Sequence, residues 1–178
     1  MIRNIALAAL VLCLSSAVRA EGDAYAAIKP LIGSWLVDRD CKVYKDKVLV
    51  AFTKGPKAVV AEFRDPKKPA VSWGKADIVP LGEEDRYRVL TVLPNNPMLK
   101  TMGVKSITGT MVVSDDADEP EGPGKDYITV SSRVSMLTSL LTIKLRDGYK
   151  TATFIFKTES PLGAQTCRGA GKKQAAKK

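Results

Sequence analysis

Few residues in this chain are equipped for chemistry, and their types limit what it can do. The sequence contains no histidine. That removes Ser-His-Asp and Cys-His machinery and the commonest zinc and haem ligand. Three cysteines occur, Cys13, Cys41 and Cys167. Neither a G-x-S-x-G nucleophile elbow nor a phosphate-cradling G-x-x-x-x-G-K-[ST] loop is present. Carboxylates remain at Glu62, Asp77, Glu83, Glu84 and Asp85. Their neighbours are charged and turn-forming, so they read as solvated rims rather than an acid-base pair. Asp115, Asp116, Asp118, Glu119 and Glu121 offer the hard oxygens that calcium prefers. Their spacing does not match an EF-hand, and Pro120 and Pro123 interrupt them, so a solvated hairpin loop is the reading. The expectation is a protein without catalytic residues, cofactor or metal.

The cysteines take their meaning from the first twenty residues. Arg3 opens a short basic region, Ile5 to Leu14 is apolar, and Val18 and Ala20 stand at −3 and −1 of a cut before Glu21. This is the layout of a secretory signal peptide over 1–20. The apolar run is about ten residues, short of the roughly twenty that span a bilayer. Cleavage removes Cys13; a lipoprotein reading of Cys13 is disfavoured because Leu12 before it is not small. Cys41 and Cys167 remain, and in an oxidising compartment they most simply pair. Two unpaired buried thiols are the other reading. A bridge closing so long a loop would contribute roughly 4–5 kcal/mol in the chain-entropy model. Localisation is expected to be periplasmic or extracellular. The formal charge of +9 falls to +7 without Arg3 and Arg19. Five of the remaining positives are Arg168, Lys172, Lys173, Lys177 and Lys178, so residues 168–178 read as a basic disordered tail on a nearly neutral body. A neutral body without interleaved aromatic and basic residues excludes nucleic acid as a partner.

The elements that must position any site are strands. Asp23 to Ile32 reads as a short helix that Pro30 cuts off. After Gly33 the period becomes two. Val48, Val50 and Phe52 share one face, as do Val59, Ala61 and Phe63. Ala70 to Leu81 carries Trp73 and Ile78. Tyr87, Val89 and Thr91 lie opposite Arg86 and Arg88, and Ile107, Met111 and Val113 fall on one side with Gly109 between them. Leu141 to Arg146, then Asp147-Gly148, then Tyr149 to Lys157 reads as a hairpin with a type I′ turn, placing Ala152, Phe154 and Phe156 together. Some eight or nine antiparallel strands without helical crossovers predict an all-β up-and-down barrel over residues 21–167, with a β-sandwich as the rival. Two loops stand out: the acidic Asp115 to Lys125, and Pro94 to Lys105, whose Met98, Leu99, Met102 and Val104 suit a lid, a partner contact or a plug of the core.

Gly33-Ser34-Trp35 follows the short helix and opens the first strand. Here the chain resembles the lipocalin or calycin superfamily, whose G-x-W begins an antiparallel barrel that commonly binds a small apolar ligand. The resemblance implies that Gly33 and Trp35 determine the fold and that a late basic residue packs across the tryptophan. Arg168 is the candidate for that role by position. A cystine from the C-terminal segment to the barrel fits the same resemblance, here reaching Cys41.

The function expected is burial of a small hydrophobic or amphipathic ligand against Val50, Phe52, Phe63, Trp73, Tyr87, Val89, Met111, Phe154 and Phe156. A filled core without a cavity is the competing arrangement. The alternative function is a cell-envelope protein-interaction module or protease-inhibitor-like barrel, working through Pro94 to Lys105 or the tail.

Overall fold

The computed structural model describes residues 24–42, 44–82, 85–114, 127–134, 137–161 and 163–175. The expected signal peptide, Asp23 and the acidic loop lie outside the described residues. Ten strands follow one another: β1 (Gly33–Asp40), β2 (Lys45–Lys54), β3 (Val59–Asp65), β4 (Lys68–Pro80), β5 (Arg86–Val92), β6 (Ile107–Ser114), β7 (Tyr127–Val134), β8 (Leu137–Arg146), β9 (Thr151–Ser160) and β10 (Gly163–Lys173). Each pairs antiparallel with its sequence neighbours, and β1 also pairs with β10, so one sheet closes on itself. Closure leaves no unpaired edge. It also sets aside the sandwich, in which two separate sheets would stack. The strand count is slightly higher than the sequence pattern suggests.

The strands that alternation does not mark are β7 and β10. Residues 168–173, which composition assigns to a disordered tail, are the second half of β10; all six pair with β1, and 168–172 pair with β9 as well. Composition misleads here because the inward positions of β10 are Cys167, Gly169, Gly171 and Lys173, with no large apolar residue among them. Gly171 is small for a reason. A Cβ there would lie 2.5 Å from Cε2 of Phe154, whose ring covers this stretch of β10 from the neighbouring strand.

One end of the barrel is sealed. The expected N-terminal helix is a turn ending in a 3₁₀ segment at Lys29–Leu31, with Pro30 in its first turn. There Pro30 supplies a preset φ without losing an intrahelical bond. Ile28, Leu31 and Trp35 are completely buried at this floor. The indole Nε1 donates to the Leu31 carbonyl at 2.8 Å, so the one polar atom of the ring is satisfied. The cation over the indole is Lys173, not Arg168. Its Nζ lies 5.4 Å from the ring centroid and donates to the Pro30 carbonyl at 2.8 Å. Register explains the exchange, because Trp35 faces Lys173 across the β1–β10 ladder while Arg168 faces Asp40 at the other end. Gly33 has φ +121°, and a Cβ on it would come within 3.0 Å of the Lys173 Cε. The glycine of G-x-W therefore supplies both a positive φ and room for the lysine stem.

Tyr87 is also at the floor, 2 % exposed and stacked on Tyr25 with ring centroids 6.4 Å apart. Burial, with lesser contributions from Asp85 and Tyr25, pushes its hydroxyl from 10.0 up to about 12. Above the ordinary value the unfolded state loses this proton first, so Tyr87 makes stability fall as pH rises from 10 towards 12. Urea denaturation across that range should show the slope, and Tyr87→Phe should flatten it. An unchanged slope in that variant would rule Tyr87 out as its source.

Candidate functional site

Inside the barrel, above the floor, lies a cavity of about 340 Å³. Its lower wall is apolar and comes from nearly every strand. Val37, Val48, Val50 and Phe52 line it from β1 and β2; Ala61, Ala76, Ile78 and Val89 from β3 to β5; Met111, Val130, Leu141, Ile143 and Phe154 from β6 to β9. The two-residue period puts these side chains on one face of each strand, and closure brings those faces together. Two small residues widen the space, since Ala61 and Ala76 are directly opposed across β3 and β4.

Polar groups gather in the upper part. Arg39 faces Asp46 across β1 and β2, with Nε to Oδ1 at 2.8 Å and Nη2 to Oδ2 at 2.5 Å. The hydrogen bonds to Asp46 are the main cause holding the guanidinium above its already high pKa. The Arg39 Cζ also lies 5.6 Å from the centroid of the Tyr44 ring. On the opposite wall the hydroxyls of Ser132 and Ser139 share a 2.6 Å hydrogen bond, and Thr91 adds a third hydroxyl residue. Tyr44 and Phe156 are 45 % and 39 % exposed, so this end is the mouth. The Cys41–Cys167 disulfide sits here, with Cys167 lining the cavity, and joins the end of β1 to β10. The site is thus an apolar well with hydrogen-bonding groups and one ion pair near its opening. Among the described residues no cluster could hold a metal ion.

Seven of the residues singled out by period line this cavity: Val50, Phe52, Phe63, Val89, Met111, Phe154 and Phe156. Two do not. Tyr87 points inward but belongs to the floor. Trp73 falls where the β3–β4 register shifts, with Phe63 opposite Gly74 and Arg64 opposite Ser72. The irregularity leaves Trp73 as the extra residue, packed against the core but off the cavity wall. Arg168, Cys167 and Gly169 border the cavity from β10, with the Arg168 side chain exposed. The polar set of Arg39, Asp46, Ser132 and Ser139 escapes a reading based on apolar alternation. A charged residue at an inward position of β1 is the signal that marks it, since Trp35, Val37 and Arg39 share one parity.

These features define a closed antiparallel ten-strand barrel with an apolar interior cavity. No family model and no curated protein matches the sequence. Among solved structures the chain is similar to Rv2717c from M. tuberculosis, with a TM-score of 0.50 and 12 % identity over 85 % of this chain and 98 % of that one. At that identity the likeness shows the fold. The barrel itself agrees with the coarse part of the lipocalin resemblance, and no match assigns the chain to that family.

Proposed function

We propose that this chain is an exported, non-catalytic barrel that holds a small hydrophobic or amphipathic ligand in the cavity described above. The observation that carries the reading is the cavity's size and lining. About 340 Å³ of apolar space open at one end is within the range of small-molecule sites, roughly 300–1,000 Å³. Burying a ligand's apolar part there releases water from both surfaces. The Arg39–Asp46 pair and the Ser132 and Ser139 hydroxyls stand where a polar end would remain near solvent, which favours an amphipathic molecule entering tail first. Export agrees with the Cys41–Cys167 disulfide, which persists in oxidising compartments. Among the described residues no helix is long and apolar enough to cross a membrane.

Native mass spectrometry of protein purified from its own host should reveal a one-to-one complex with a small amphipathic molecule. A fluorescent fatty acid should bind the emptied protein and be displaced by that molecule. Repeated purification with nothing bound, together with no displaceable probe, would overturn the reading.

A further inference from the structure

The connections at the mouth of the barrel are one-sided in charge. The connections at the mouth are 41–44, 66–67, 93–106, 135–136 and 161–162. None of them contains a carboxylate, and they carry Lys42, Lys67, Lys100 and Lys105. The connections joining strands at the floor end are 55–58, 81–85, 115–126 and 147–150. Among the described residues these connections carry Asp85 and Asp147 beside Lys57 and Lys150. Lysines occur at both ends, so the contrast lies in the carboxylates. Of the carboxylates on the mouth ends of the strands, Asp40 pairs with Lys45, Asp46 with Arg39, and Asp65 accepts from the Lys67 amide, while Glu159 near the end of β9 is exposed.

All four mouth lysines are exposed. They come from three successive connections, β1–β2, β3–β4 and β5–β6, so they spread along one side of the opening rather than converge on one anion. Among them Met102 is 42 % exposed, and Tyr44 shows a similar fraction. An apolar opening flanked by separated cations, with exposed apolar side chains between them, is complementary to a surface that is anionic outside and apolar beneath. A single acidic protein patch would match the charge but not the apolar centre. We propose that the mouth end docks on a bilayer bearing anionic phospholipid headgroups. The lysines meet the phosphates, and Met102 and Tyr44 enter the interfacial layer. A ligand then passes between bilayer and cavity without crossing bulk water.

The test uses the chain from Glu21, which contains the whole described barrel, and vesicles without added ligand. Docking is thereby measured independently of what the cavity holds. The protein should sediment with mixed phosphatidylcholine–phosphatidylglycerol vesicles, release as salt rises, and leave pure phosphatidylcholine vesicles alone. Lys100→Glu with Lys105→Glu should lower the partition coefficient by roughly thirty-fold or more, since each lysine at an anionic leaflet contributes about fivefold. Lys57→Glu with Lys150→Glu at the floor end changes net charge equally and should have little effect. Equal losses from both double variants would overturn the proposal, because binding would then follow net charge alone. Failure to sediment with either vesicle would also overturn it and leave an acidic protein as the occupant of this surface.

Discussion

Replacing Ala76 with tryptophan is expected to weaken ligand binding by about a hundredfold, or about 2.7 kcal/mol, while the barrel stays folded. Ala76 lines the cavity, is nearly fully buried, and faces Ala61 across the ladder and Thr91 on β5. Ala61 and Ala76 present only methyl groups to the cavity, between Phe52 on β2 and Thr91 on β5, so an indole grows into the space a ligand would fill. The backbone need not move far, because the cavity accepts the added volume that a packed core would refuse. Overpacking typically costs about 1–3 kcal/mol, which a domain of ordinary stability survives. Thr53→Trp on the exposed outer face of β2 adds the same indole outside the barrel and should leave affinity unchanged. Titration of a fluorescent fatty acid measures both, with circular dichroism confirming the strands. Should Ala76→Trp fail to fold, Ala61→Phe tests the same space from the facing strand. A folded cavity-filling variant that binds as tightly as the native chain would place the ligand elsewhere.

The inner wall was readable where one face of a strand is apolar and the other polar. β2, β3, β5 and β6 follow the period of two, so alternation alone places their inward residues, and on β9 it places Ala152, Phe154 and Phe156 on one face. Alternation fails for three physical reasons. On β10 the inward residues are glycines that admit Phe154 and Val37, so the strand carries no hydrophobic signature. On β4 the register shift near Arg64 moves Trp73 off the wall, and no local pattern reports an irregularity that depends on a partner strand. At the mouth, Arg39 and Asp46 occupy inward positions because each satisfies the other, a pairing visible only once β1 and β2 are in register. The cation over Trp35 had the same origin. Its type was foreseeable, but its position followed from the ladder that puts Lys173 opposite the indole.

The second large effect concerns the seam where the first and last strands meet. Reducing Cys41–Cys167, or replacing both with alanine, is expected to destabilise the protein by roughly 5 kcal/mol in the chain-entropy model. The bond spans 126 residues of sequence, and in its absence the unfolded chain regains nearly all the freedom that the bond removes. For a domain of this size the melting temperature should fall by about 10–20 °C. The loss should not be uniform along β1–β10. Near the floor the seam is held independently by Trp35, by the Lys173 bond to Pro30 and by the Gln174 amide on the Ser34 carbonyl at 2.8 Å. Near the mouth the last register pair, Asp40 with Arg168, adjoins the disulfide and has no comparable anchor from the N-terminal turn. Hydrogen exchange on the reduced protein should therefore show amides near Asp40 and Arg168 losing protection before those near Trp35 and Lys173. Urea unfolding followed by tryptophan fluorescence measures the global change. A shift below about 1 kcal/mol would mean that the unfolded chain already holds these strands near one another, against the entropic account. Uniform loss of protection would show that the seam opens only with the whole barrel.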